Sequence, residues 1–152
     1  GVSVLRRALA SAAIGLRGMG SRTDSRRALL VVWGLFAALA AASGDELGQL
    51  GLVRQRQAAI HALAQAVSSG QISLHAGADV AATMDALKAL PGIGAWTADY
   101  IALRALRWPD AFPSGDVALQ KALSPDGQRL TARAAESRAE RWRPWRAYGF
   151  WQ

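Results

Sequence analysis

The sequence predicts an all-α fold, a helical bundle with a tight hairpin between two of its helices. Two observations lead to this prediction. From residue 35 onward, apolar residues recur at helical spacing, and the segments are bounded by capping residues and glycines. Leu90–Gly94 then places one proline and two glycines between two helical segments, which leaves only a short helix–helix connection.

Clear start and stop signals predict the helices before this hairpin. Ser43 and Glu46, three residues apart, form a capping box. Gly70 suits the left-handed residue that follows a helix, and Asp79 suits an N-cap. The helices predicted in this way are 44–50, 54–68 and 80–89.

The hairpin Leu90–Gly94 and the helix expected after it, over 95–106, form the most informative segment. Glycines let the backbone approach a ligand closely, and the N–H groups at the start of a helix bind anions such as phosphate. A tight turn without a ligand explains the hairpin equally well. After this helix, a Pro/Gly-rich loop ends in Asp116, the expected N-cap of a helix over 117–123.

Composition supports one packed domain and excludes several kinds of site. The chain has 152 residues, of which 51% are hydrophobic and 19% charged, far from the composition of disordered chains. It contains no cysteine, so disulfides, thiolate zinc sites, iron–sulfur clusters and cysteine nucleophiles are excluded. The formal net charge is +7, and 16 of the 18 basic residues are arginines, which favours a polyanionic partner.

The first 34 residues differ from the rest of the chain. Gly15, Gly18 and Gly20 interrupt any helical period there, and residues 21–25 have the composition of a loop. We therefore predict two regions, an atypical N-terminal segment at 1–34 and a helical domain at 35–152.

Three motifs in one order carry a family resemblance. They are LPGIGAWTADYIALRAL over 90–106, DAFPSGD over 110–116 and WRPWRAY over 142–148. The chain resembles the HhH-GPD superfamily of DNA glycosylases, which is named after its helix–hairpin–helix motif. Within it, the chain is similar to the AlkA branch of 3-methyladenine DNA glycosylase II enzymes and to the glycosylase half of Ada–AlkA fusions. The resemblance covers about three-quarters of the chain and implies an HhH-GPD glycosylase domain that is incomplete at the N-terminus.

The resemblance implies a base-excision reaction. Members flip a damaged nucleotide out of duplex DNA and cleave its N-glycosidic bond through a cationic sugar. Asp116 matches the family's essential aspartate, which stabilises this cation and orients or activates the attacking water. Trp96 and Tyr100, four apart on one helix face, match aromatic residues that hold the base. Such electron-rich rings suit positively charged alkylated purines, for example 3-methyladenine and 7-methylguanine.

The resemblance also implies the type of enzyme and its DNA contact. Members with lyase activity carry a lysine where this chain has Trp96, so a monofunctional glycosylase is expected. The backbone amides of Gly92, Ile93 and Gly94 match the family's phosphate contact, where nearby carbonyls often hold a monovalent metal ion. We expect no other cofactor and no metal site, since neither histidine has a carboxylate or cysteine at ligand spacing.

Both ends of the chain depart from the family. Residues 2–4 match the end of the signature that supplies the DNA-wedging residue, but residues 5–34 do not continue it. We hypothesise a frameshifted or rearranged N-terminal third. The chain ends before a further pocket tryptophan of the family, so that role is not assigned to Trp151. Residues 25–42 have an alternative interpretation as a twin-arginine export signal.

Two functions remain open on the sequence alone. The first is a monofunctional glycosylase for alkylated purines in base excision repair, acting as a monomer on double-stranded DNA in the bacterial cytoplasm, away from membranes. The second is a truncated, catalytically impaired helix–hairpin–helix module that only binds DNA. Asp116, Trp96 and Tyr100 favour the enzyme, whereas the ends of the chain favour the module. Arg143 and Arg146 are expected on one face, as phosphate contacts or as a solvated surface.

Overall fold

The computed structural model describes residues 6–7, 10, 24–75 and 77–149, and over these residues it confirms the predicted all-α fold. The elements are α1 (Asp24–Ala41), α2 (Gly44–Gly48), α3 (Arg54–Ser68), α4 (Val80–Ala89), α5 (Ala95–Arg104), α6 (Val117–Ala122), α7 (Ala132–Ala139), a 3-10 turn (Glu140–Trp142) and α8 (Arg146–Gly149). The chain divides into two compact units. The first unit is Gly1–Ile72 with Leu90–Gly92, and the second is Ser73–Ala89 with Ile93–Gln152.

In the first unit, α1 and α2 pack on α3. The predicted capping box starts α2, because Ser43 Oγ accepts from the Glu46 N–H over 3.2 Å and Glu46 Oε2 accepts from the Ser43 N–H over 2.9 Å. α2 ends at Gly48, two residues before the predicted end, whereas α3 has the predicted bounds. Ala42 and Leu47 are buried at the centre of a small apolar cluster.

The helix α1 corrects the expectation for the N-terminal segment. Residues 24–34 are helical, although their neighbourhood suggested an interrupted, loop-like segment, and the boundary predicted after residue 34 lies inside α1. One glycine inside a helix costs only about 1 kcal/mol relative to alanine, so Gly34 does not end α1 when the helix packs on α3. The imidazole of His61 on α3 also contacts the Ala40 carbonyl, with 2.7 Å between Nε2 and O.

Some predictions fall elsewhere in the chain. The family-like residues 2–4, most of the hypothesised rearranged segment and Trp151 lie outside the described residues. Of the helices within 24–75 and 77–149, none combines the length and the apolar character that a membrane crossing requires.

In the second unit, α4 packs on α5, and α6 packs on α7. Asp79 begins α4 as predicted, since its Oδ1 accepts from the Ala82 N–H over 3.0 Å. α5 and α6 end two residues and one residue before their predicted ends. Phe112 and Leu119 form a buried cluster with two alanines of α7, whose small side chains let the helices approach closely. Phe112 of this cluster belongs to the loop that leads to Asp116.

Candidate functional site

Asp116 is held through both of its carboxylate oxygens. It is the N-cap of α6, as predicted, and its Oδ1 accepts from the Leu119 N–H over 3.0 Å. Its Oδ2 accepts from the indole N–H of Trp96 over 3.2 Å. The two residues are 20 positions apart in the chain, so the fold brings together an aspartate and an aromatic residue that the sequence analysis had paired only by resemblance.

Trp96 and Tyr100 form an exposed aromatic platform on α5, the name we use below for these two side chains. Their ring centroids are 5.5 Å apart and the planes differ by 20°, so the rings are stacked on each other. The residues are 44% and 39% exposed, which rules out a role as ordinary core aromatics. Because the rings already face each other, a flat ligand that stacked on the platform would lie on an outer face and not between them.

The loop from Asp110 to Asp116 brings the carboxylate to this platform. Phe112 is buried and Pro113 is fully buried, so the middle of the loop is anchored in the core. Two short turns follow, in which the N–H groups of Ser114 and Asp116 donate to the carbonyls of Phe112 and Pro113, each over 2.8 Å. The last residue before Asp116 passes beside Trp96. A Cβ built on Gly115 would lie 3.5 Å from Trp96 Cβ, an ordinary van der Waals distance.

Arg146 is not on the exposed face that the sequence analysis predicted, so that expectation is wrong for this residue. It is only 4% exposed, and its Nε and Nη2 donate to the two oxygens of Asp110 over 2.7 and 2.9 Å. Arg143 is exposed but is engaged too, with Nη1 on Asp110 and Nε on Glu140. A buried carboxylate needs such partners, because an unpaired charge is costly away from water.

The ion cluster also sets the charge of Asp110. Burial alone would raise the pKa of this carboxyl, but the hydrogen bonds and charge of Arg146, helped by the charge of Arg143, hold the pKa below its ordinary value. The sequence contained no signal for this cluster, since Asp110 and Arg146 are 36 residues apart.

Gly92 is the hairpin residue that the fold requires to be glycine. It has a φ of +77°, in the left-handed region, and a Cβ at this position would lie 2.9 Å from Ala59 Cβ on α3. Both residues belong to the first unit. At its first glycine, the backbone of the hairpin therefore closely approaches α3.

The rest of the hairpin, in the second unit, behaves differently. Gly94 is the N-cap of α5, with an extended φ of −87° and no side-chain cap, and a Cβ there would meet nothing within 4 Å. Ile93, between the two glycines, is buried. Neither the backbone conformation of Gly94 nor its neighbours require this residue to be a glycine. The residue is exposed, so a ligand can approach it.

The second unit also contains a cavity of about 430 Å³, away from the aromatic platform. Its wall includes Asp99, Lys88, Glu136 and Arg146. Burial raises the pKa of Asp99 to about 6, an effect that Lys88 and Arg146 oppose and Glu136 reinforces. The sequence analysis missed Asp99, because no charged partner stands near it in the sequence at a spacing that would have marked it. Among the described residues, no group of three His, Cys, Asp or Glu side chains could hold a metal ion.

Comparison with known proteins bears on the whole arrangement. No family model matches the chain. It is 42% identical over 101 residues to the "Probable bifunctional transcriptional activator/DNA repair enzyme AlkA" of two Mycobacterium tuberculosis strains, an alignment that covers 66% of this chain and 20% of that protein. It is 36% identical over 110 residues to "DNA-3-methyladenine glycosylase 2" of Escherichia coli, covering 72% of this chain and 38% of that protein.

The chain thus spans well under half of the length of each of these relatives. Within that span, the identities confirm the family resemblance that the three motifs predicted, and the all-helical structure agrees with it. Over about 100 of its residues, the chain belongs to the AlkA-like DNA glycosylases.

Proposed function

We propose that the chain acts as a monofunctional DNA-3-methyladenine glycosylase, which hydrolyses the N-glycosidic bond of alkylated purines in duplex DNA for base excision repair. One observation carries the proposal. The carboxylate of Asp116 is tied to Trp96 by a hydrogen bond of 3.2 Å, so that a negative charge lies beside an exposed aromatic platform. The printed names of the relatives, a DNA repair enzyme and a 3-methyladenine glycosylase, support the same reaction.

The aromatic platform supplies selectivity for cationic bases. Alkylation at N3 of adenine or N7 of guanine leaves a positive charge on the purine, and the faces of Trp96 and Tyr100 attract such a ring. A cation–π contact of this kind is worth about 0.5–2 kcal/mol. Recognition by charge needs no fixed hydrogen-bond pattern, which suits an enzyme that accepts both 3-methyladenine and 7-methylguanine.

Asp116 supplies the charge that the reaction requires. When the bond between the sugar C1′ and the base nitrogen breaks, the electron pair leaves with the base and the sugar becomes cationic. Each oxygen of Asp116 accepts one hydrogen bond within the chain, and a carboxylate oxygen can accept two. The remaining lone pairs are available to stabilise the cation and to accept a hydrogen bond from a water molecule. The water oxygen adds to C1′, and its proton passes to the carboxylate or to solvent.

We expect hydrolysis without strand cleavage, because no lysine amine lies at the site to start the lyase step. A lyase step needs a lysine that forms a Schiff base with the sugar. The chain has two lysines, and neither is beside Asp116 in sequence or on the aromatic platform: Lys88 lines the separate cavity, and Lys121 is exposed on α6. We therefore propose that the product is an intact abasic strand and a free base.

The hairpin is the proposed contact with the DNA backbone. In the second unit, the exposed residue Gly94 and the start of α5, which has no side-chain cap, offer N–H groups to a phosphate. The peptide carbonyls of the hairpin are oxygen donors, the type of ligand that hard metal ions take, so they fit a monovalent cation. No step of the reaction depends on that ion. We further propose that the protein works as a monomer in the bacterial cytoplasm.

Base release from methylated DNA tests the proposal. Duplex DNA treated with a methylating agent is incubated with the protein, and the released bases are separated by chromatography. The expected result is release of 3-methyladenine and 7-methylguanine, with the strand left intact and no trapping of protein on DNA by borohydride. Duplex binding without any release would leave only the DNA-binding module, whereas a trapped covalent complex would contradict the monofunctional assignment.

A further inference from the structure

We propose that Gln120 is a positioning residue for Asp116. Its side-chain amide holds the end of the loop that carries Asp116, and thereby fixes the carboxylate against the aromatic platform. This inference rests on the proposed function for its catalytic consequence, but its structural part stands on the contacts of Gln120 alone.

Gln120 is a buried polar residue whose two amide atoms are both used. It lies on α6, is only 2% exposed, and donates from Nε2 to the Ser114 carbonyl over 2.8 Å. Its Oε1 accepts from Nε of Arg129 over 2.7 Å. One partner is an acceptor and the other a donor, so the amide has a single orientation that satisfies both.

These contacts attach Gln120 to both sides of Asp116. Ser114 stands two residues before Asp116, and the side-chain bond holds its carbonyl. On the other side, the main-chain N–H of Gln120 donates to the carbonyl of Asp116 over 2.9 Å, in the first turn of α6. A displacement of the loop relative to α6 therefore has to break the bond from Gln120 to Ser114.

Beyond buried Phe112 and Pro113 and the two backbone turns after them, the loop has few other anchors near Asp116. Its far end is fixed by the ion pairs between Asp110 and Arg146, six residues before Asp116. Between Ser114 and Asp116 stands only Gly115, which is exposed and has no side chain to anchor it. The carbonyl of Ser114 is thus the last side-chain-anchored point before the carboxylate.

The identity of the residue fits this role better than a packing role. A hydrophobic residue of similar length would fill the same volume, whereas burying an amide costs free energy unless its hydrogen bonds are made. Glutamine provides one donor and one acceptor, and both are needed here. Glutamate would keep the acceptor for Arg129 but would turn a carboxylate oxygen toward the Ser114 carbonyl.

Two variants and one matched control separate positioning from packing. Gln120→Glu retains the contact to Arg129 and loses only the bond to Ser114, while Gln120→Met loses both and keeps the volume. Ala122→Glu is the control, because it adds the same negative charge to an exposed position of α6. All proteins are assayed at least 15 °C below their measured Tm, so that loss of folded protein does not enter the rates.

Two readouts are measured on each protein. The first is the indole N–H resonance of Trp96, assigned by its disappearance in Trp96→Phe, which reports the hydrogen bond to Asp116 without any catalysis. The second is the single-turnover rate of base excision from a duplex with one 7-methylguanine, together with the Kd for that duplex. We expect a shifted resonance and a rate about tenfold lower in both Gln120 variants. A misplacement of 1 Å costs on the order of 100-fold in rate, so a tenfold loss corresponds to a displacement of the carboxylate smaller than 1 Å. The Kd should change by less than about twofold, and Ala122→Glu should leave the resonance in place.

The outcomes distinguish this proposal from the proposed function. If the wild-type protein releases no base but the resonance shifts only in the Gln120 variants, the positioning role stands and the glycosylase proposal fails. If the wild-type protein is active and Gln120→Glu changes neither the resonance nor the rate, the positioning role is wrong. It is equally wrong if Ala122→Glu shifts the resonance and slows excision as much as Gln120→Glu does.

Discussion

The hydrogen bond between Trp96 and Asp116 gives the site its sharpest single-atom test. Trp96→Phe removes the indole N–H, which lies 3.2 Å from Asp116 Oδ2, but keeps an aromatic ring next to Tyr100. A hydrogen bond to a charged group contributes about 1.5–3 kcal/mol. Because this bond is long and Trp96 is 44% exposed, we expect about 1 kcal/mol at the transition state, which is about fivefold in rate.

The assay is single-turnover excision of 7-methylguanine from a duplex, with the Kd for the duplex measured alongside. The rate should fall about fivefold, because the carboxylate loses a donor that orients it. The Kd should weaken by less than about threefold, because phenylalanine retains most of the stacking surface. Trp145→Phe is the matched control. Trp145 is an exposed tryptophan of the second unit that packs on Tyr148 at 5.9 Å and has no contact with Asp116.

Three results would refute this reasoning. An unchanged rate would show that the indole N–H does not orient the carboxylate during the reaction. A weaker Kd with an unchanged rate would restrict Trp96 to base binding. An equal loss of rate in Trp145→Phe would show that the effect arises from general destabilisation of the second unit.

Other parts of the structure lead to three further predictions. Gly92→Ala should lower the free energy of unfolding by about 1–3 kcal/mol in urea denaturation, because its Cβ would lie 2.9 Å from a side chain of α3. Gly94→Ala, where the new Cβ meets open space, should lower it by less than about 0.5 kcal/mol. Asp99→Asn should stabilise the protein by about 1 kcal/mol above pH 6 and should have no effect below pH 3.8. The raised pKa of Asp99 makes the stability of the wild-type protein fall as the pH rises through this window, and the partial exposure of the carboxyl reduces the size of the effect; a gain that persists in acid would contradict this. Asp110→Asn should cost about 3 kcal/mol at neutral pH, because buried Arg146 loses the carboxylate that binds its Nε and Nη2 and keeps only the ion pairs of Nη1 with Glu136 and Glu140. The pKa of Asp110 is lowered, so the difference should shrink below pH 3.8 as the carboxyl takes up its proton; a cost under 1 kcal/mol would show that the ion pair is dispensable.

Local signals made much of the fold predictable. The capping box at Ser43 and the caps at Asp79 and Asp116 depend on residues within one turn of each other, and the structure has all three. The bounds of α3 were predicted without error, and its C-terminal end carries a local marker, the left-handed Gly70. Helix ends without such a marker, as in α5, were placed two residues too late.

Long-range contacts account for what the sequence did not reveal. The continuation of α1 through Gly34 depends on packing against α3, which outweighs the low helix propensity of one glycine. Arg146 was expected at the surface because its partner Asp110 is distant in sequence. Gln120 gave no signal at all, since its role arises from a loop carbonyl and an arginine that only the folded chain brings to it.

The central claim is that the carboxylate of Asp116 carries the chemistry while other groups carry the binding. The most direct measurement compares wild type and Asp116→Asn in single-turnover excision from a 7-methylguanine duplex, together with the Kd for that duplex. Asparagine keeps the size and an acceptor for the Leu119 N–H but removes the negative charge. We predict a rate lower by about 100-fold or more and a Kd within about twofold of wild type. Base release at the wild-type rate by Asp116→Asn would contradict the account.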